Sequence, residues 1–108
     1  MDDGRLVRVL KALADPKRFR MIQEIAAAGE LSCGRLGEKF PLSQPTVSHH
    51  LKILGEAGLL VVRQDAQHHF ISVNRSLLDE VAALLPGRLA PARPRRPRRE
   101  RRTASRNP

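Results

Sequence analysis

Residues 41–58 read PLSQPTVSHHLKILGEAG, and this stretch narrows the possible folds more than any other. Ser43 supplies a helix N-cap, Pro45 sits in the first turn, and Gly58 suits the left-handed position just past the last turn. The spacing predicts a helix over Gln44 to Ala57. At about 100° per residue, Val47, Leu51 and Leu54 gather on one side of it. Pro45, Ser48, His49, Lys52 and Glu56 gather opposite, with Gln44 beside them at the N-terminal end. The first set can dock the helix on its domain. The second is short and polar enough to bring a backbone close to base edges in a DNA major groove. Gln44 can pair with adenine N6 and N7. Ser48 and Thr46 can exchange hydrogen bonds with bases or phosphates, His49 can donate to a guanine N7 or a phosphate, and Lys52 is placed for phosphate. An ordinary amphipathic surface helix would show the same two faces, so the neighbouring elements must decide.

Those neighbours form a short series. Leu6, Val7, Val9, Leu10 and Leu13 predict a helix from about Asp3 to Ala14. Asp15 then caps a second, Pro16 to Ala28, with Phe19, Ile22 and Ile25 facing inward and Gly29 closing it. Ser32 caps a short third helix, Cys33 to Phe40, with Leu36 and Phe40 inward; Gly34 and Gly37 weaken it, so packing must hold it. Beyond the fourth helix, Leu59 to Arg63 and His69 to Val73 flank a polar turn, Gln64 to Gln67, and predict a β-hairpin. Asn74-Arg75-Ser76 leads into a fifth helix ending at Leu85, where Pro86-Gly87 breaks the pattern. The fold class expected is mainly α with one hairpin: a winged helix-turn-helix, α-α-α-α-β-β-α, over residues 1–86.

Charge divides the chain in two. The formal net charge of +9 suggests an anionic partner. Residues 1–85, however, carry 11 Lys and Arg against 10 Asp and Glu, a net of +1, whereas residues 86–108 carry nine Arg and one Glu, a net of +8. The basicity belongs to the tail. Residues 87–108, rich in Arg, Pro and Ala, are expected to be a disordered tail that binds polyanions loosely or serves only as a solvated end. The acidic start, Met1-Asp2-Asp3, lacks a signal-peptide pattern, and no apolar run approaches the roughly 18 residues of a membrane span. A cytoplasmic protein with no membrane partner is expected; if bacterial, it can reach DNA directly and be nucleoid-associated.

Other residues with chemistry are sparse. The single cysteine, Cys33, excludes an intramolecular disulfide; it is either a reactive, redox-capable thiol near a helix N-terminus or a small half-buried residue. His49 and His50 lie about 100° apart on a helix, and His68 and His69 face opposite ways on a strand, so neither pair suits one metal. His50 points toward the apolar side as a packing residue. The hairpin can act as a wing, with Arg63 and Gln67 on backbone or minor groove, or it can simply cover the core. The apolar faces of the first and last helices predict a homodimer joined through them, with a monomer of folded-back ends as the alternative. No catalytic pair and no phosphate loop can be assembled, so no enzyme and no cofactor is expected.

Leu10 to Ile25 (LKALADPKRFRMIQEI), Leu42 to Leu60 (LSQPTVSHHLKILGEAGLL) and Phe70 to Asn74 (FISVN) together resemble the ArsR/SmtB family of bacterial winged-helix repressors. The resemblance spans about residues 6–85 and is most specific at Ala14-Asp15-Pro16 with Arg18 and at Ser43 to Leu51. It implies a homodimeric repressor of a palindromic operator in double-stranded DNA, released by a signal. It puts base contacts at Gln44, Pro45, Ser48 and His49, and phosphate or wing contacts near Ser43, Lys52, Arg63 and Gln67. Metal-sensing members carry Cys-x-Cys after Glu-Leu; here Glu30-Leu31 is followed by Ser32-Cys33-Gly34. The last helix offers Asp79 and Glu80 but no His, and the wing turn has Ala66-Gln67 in place of Gly-Arg. No metal site and no identifiable small-molecule effector follows. A nucleoid-like protein binding DNA without sequence choice through its tail is the alternative function.

Overall fold

Helix starts in this chain are set by side chains that take up the free N–H groups of the first turn. In a computed structural model that describes residues 1–90, Asp2 accepts from the Arg5 N–H at 2.8 Å and opens α1 (Asp3–Leu13). Asp15 accepts from both Lys17 and Arg18 at 3.0 Å and opens α2 (Pro16–Ala28), whose first residue is the expected proline. Ser32 opens α3 (Cys33–Glu38), Ser43 opens α4 (Gln44–Glu56), and Asn74 opens α5 (Arg75–Leu89). Each cap contributes about 1 kcal/mol. Gly29 and Gly58, which follow α2 and α4, take φ values of +82° and +86°, as their positions require.

The strands are β1 (Leu31–Ser32), β2 (Leu60–Asp65) and β3 (His68–Val73), in the antiparallel order β1-β3-β2. The hairpin was expected, but β1 was not. Two residues are too few to show an alternation, and they form a strand because β3 offers its free edge, pairing Leu31 with Ile71 and Ser32 with Phe70. The hairpin turn is also tighter than expected. Asp65 pairs with His68, leaving only Ala66 and Gln67 between the strands, and Ala66 adopts φ +57°.

The core gathers one face of every helix: Val9 from α1, Met21 and Ile25 from α2, Leu36 from α3, Val47 and Leu54 from α4, and Leu77 and Val81 from α5, with Leu59 and Ile71 between them. Asn74 fastens the hairpin's exit to its entry. Its amide donates to the Gly58 carbonyl at 2.9 Å, and its N–H donates to the Leu59 carbonyl at 2.8 Å.

Four expectations are corrected. Phe19 is half-exposed (50%), because the buried stripe of α2 is centred on Met21, Ile22 and Ile25 and Phe19 lies off it. α3 stops at Glu38, before Phe40, whose following proline disfavours helical backbone. Leu51 is only half-buried. α5 does not break at Pro86-Gly87 but continues to Leu89. Arg88 explains the extension: it meets Asp3 at 2.6 Å and donates to the Met1 carbonyl at 2.7 Å, so the last turn of α5 is fastened to the start of α1. Residues 87–89 are therefore helical, and the rest of the expected tail, 91–108, lies outside the described residues.

Candidate nucleic-acid interface

α4 is held by its apolar side and free on the other. Val47 and Leu54 are fully buried, whereas Gln44, Pro45, Ser48, His49 and Lys52 are exposed. These five form one continuous outer face, as the spacing required. Ser43 and Thr46 belong to its N-terminal end but are already engaged. Their hydroxyls lie 2.8 Å apart, and Ser43 Oγ accepts from the Thr46 N–H at 3.3 Å. Their first task is to cap the helix.

Gln44 lies close to α3. A Cβ at position 37 would lie 3.3 Å from Gln44 Oε1, so the absence of a side chain at Gly37 makes room for this glutamine. The glycine that weakens α3 thus leaves space for the end of the Gln44 side chain.

His50, on the flank of α4, has a partner that the sequence did not reveal. Arg18 of α2 stands 3.4 Å from its Nδ1. The same guanidinium donates to the Ala12 carbonyl at 2.7 Å and to the Lys11 carbonyl at 3.3 Å, both in the last turn of α1. One side chain therefore ties α1, α2 and α4. Partial burial lowers the His50 pKa, against the pull of the Asp15 carboxylate, and neighbouring Arg18 lowers it further. The neutral ring with Nδ1 as acceptor suits an arginine donor. The helical period could place His50 beside the core, but only the chain crossing from α2 could show what it meets.

On the wing, Arg63 is not free as expected. It donates to Glu30 through Nε at 3.1 Å and through Nη2 at 2.8 Å, and its guanidinium lies 4.5 Å over the Phe70 ring. Asp65 adds a carboxylate at 3.8 Å. The hydrogen bonds from Arg63 lower the Glu30 pKa. This arginine is committed to the sheet, and the exposed tip of the wing is left to Gln67. Burial pushes the Cys33 thiol pKa up, although the residue begins a helix. Among the described residues, no three His, Cys, Asp or Glu side chains are grouped to hold a metal ion.

A short helix, a turn, a second helix with a free polar face and a following hairpin define a winged helix-turn-helix DNA-binding protein. Known proteins agree. A helix-turn-helix domain family matches residues 13–63. The chain is 38% identical to the uncharacterized HTH-type transcriptional regulator YceK of Bacillus subtilis, over 82% of this chain and 86% of that one. It is 37% identical to the arsenical resistance operon repressor of Staphylococcus aureus, over 75% of this chain and 77% of that one. In fold it is similar to the homodimeric winged helix-turn-helix DNA-binding domain Mb0332 from Mycobacterium bovis, with a TM-score of 0.65, 20% identity and coverage of 82% and 87%. The protein belongs to the ArsR/SmtB family of helix-turn-helix transcription regulators. No helix among the described residues is long and apolar enough to cross a membrane.

Proposed function

We propose that the protein is a homodimeric repressor that reads a palindromic operator with the outer face of α4. The observation that carries this is the pairing of a fully buried Val47 and Leu54 with an exposed Gln44, Pro45, Ser48 and His49 on the same helix. Such a helix can enter a major groove without unfolding its own domain. Dimerisation is supported by Val7 on α1 and Leu89 on α5, which stay 47% and 76% exposed, and by the homodimeric state of the Mycobacterium bovis domain. Lys52 and the capped Ser43 and Thr46 serve phosphates beside the half-site, and Gln67 is the wing residue placed to reach backbone.

Selection from a random duplex library tests this. The protein should enrich an inverted repeat with half-sites about 10 base pairs apart centre to centre. Gln44→Ala with Ser48→Ala should weaken binding to that repeat and leave the dimer intact by sedimentation. Enrichment of no sequence, with binding abolished by removal of residues 91–108, would instead establish nonspecific binding through the Arg-rich end.

A further inference from the structure

Between the start of α2 and the turn joining α3 to α4, the surface opens into a groove of about 340 Å³. Three cationic side chains line it: Lys17, Arg20 and Lys39. The remaining lining is Pro16 on α2 and Phe40, Pro41 and Leu42 of the turn, which give it an apolar surface. Lys17 and Arg20 are exposed, and neither forms an ion pair among the described residues. Lys39 is held at the groove by Glu24 of α2, 3.6 Å away. Asp15 already takes the N–H groups of Lys17 and Arg18, so the groove's attraction for an anion comes from its long side chains and not from the helix end.

We propose that this groove seats the sugar–phosphate backbone of the DNA strand bordering the half-site, with Lys17 and Arg20 on phosphate oxygens and Phe40 and Leu42 against deoxyribose. The assignment rests on the proposed insertion of α4 into a major groove. Two observations choose this occupant. The groove gathers three cations in a domain whose residues 1–85 sum to a net of only +1. It is also continuous with the reading face, because Leu42 is followed directly by Ser43, the cap of α4. Contacts of this kind set register on the duplex and carry no sequence information. The groove would therefore fix how α4 sits while Gln44, Pro45, Ser48 and His49 choose the site.

The test uses the full chain carrying Lys17→Gln and Arg20→Gln, with its thermal midpoint checked against the parent. Affinity is measured on the selected operator and on a random duplex over a range of salt. Both duplexes should weaken by the same factor, at least roughly tenfold at physiological salt, and the slope of log affinity against log salt should become shallower by about four per dimer, about two for each protomer. Charge reversal, Lys17→Glu with Arg20→Glu, should weaken both further. Parental affinities and slopes in both variants would overturn the proposal, as would a loss confined to the operator with an unchanged slope. If inorganic phosphate bound the parent and not the Gln variant while DNA affinity stayed the same, the groove would be a small-anion site and the DNA assignment would be wrong. The random-duplex arm needs no operator, so failure to select a repeat would count against the reading face alone. A selected repeat with unchanged slopes would count against the groove alone.

Discussion

Arg63 of β2 reaches across β3 to grip Glu30 with two hydrogen bonds, of 2.8 and 3.1 Å. β3 lies between β2 and β1 in the sheet, and Glu30 immediately precedes β1. The charge of the wing's arginine is thereby paired from within the domain. Glu30→Gln should release part of that charge. The expected outcome for the proposed dimer is tighter binding to any duplex, with a salt slope steeper by up to about two, one for each protomer. An unchanged slope in a salt titration would show that Arg63 cannot reach DNA even when freed.

The Arg18 guanidinium links the end of α1 to His50 on α4, so its loss should loosen the seat of the reading helix. Arg18→Ala should destabilise the fold by roughly 1–3 kcal/mol, since the part-buried Ala12 carbonyl loses its charged donor. In a domain this size, each kcal/mol corresponds to a fall of about 4–8 °C in the thermal midpoint. Arg18→Lys should recover little of it, because an ammonium cannot make the forked contact to two carbonyls and a ring. A midpoint within a degree of the parent would rule out this structural role.

His50 makes the fold sensitive to pH. Its pKa is lowered from the ordinary 6.5, chiefly by burial, with Arg18, His49 and Lys17 acting in the same direction and Asp15 against it. Below pH 6.5 the unfolded chain therefore takes up a proton that the folded chain resists. This contribution to stability is present above pH 6.5 and is lost as pH falls from there through the folded pKa. Asp15 and Glu30, both lowered in the folded state, contribute in a separate window, above their ordinary values of 3.8 and 4.5, and lose that contribution as pH falls further. Thermal midpoints should begin to drop as pH falls below about 6.5, and His50→Gln should flatten that part of the curve while leaving the acid limb in place. Equal slopes in the two proteins would remove His50 as the cause.

Ala66 holds φ +57° in the two-residue turn of the hairpin, where an L side chain is strained. Ala66→Gly should stabilise the protein by up to about 1 kcal/mol, the relief of left-handed strain being partly offset by glycine's extra freedom in the unfolded chain. Denaturant midpoints measure it. A lower midpoint would mean that the turn tolerates alanine without strain.

The order of the five helices and the hairpin, the caps at Asp15, Ser32 and Ser43 and the two faces of α4 were legible in the sequence, because each depends on chemistry within a few residues of chain. A cap needs only its own first turn, and a helical face needs only its period. What was not legible depends on partners brought from far along the chain. β1 exists because β3 passes beside it. α5 runs through Pro86 because Asp3 and Met1, more than 80 residues earlier, receive Arg88. Gly37 could be recognised as weakening a helix, and only the fold showed the Gln44 side chain of the next helix lying against it. Arg63 could be recognised as a wing cation, and only the folded sheet showed Glu30 beside it. Local sequence therefore specified which groups could meet DNA. Long-range packing specified which of them remain free to do so, because a charge, a hydrogen-bond donor or a strand edge is available only if nothing distant in sequence has already claimed it.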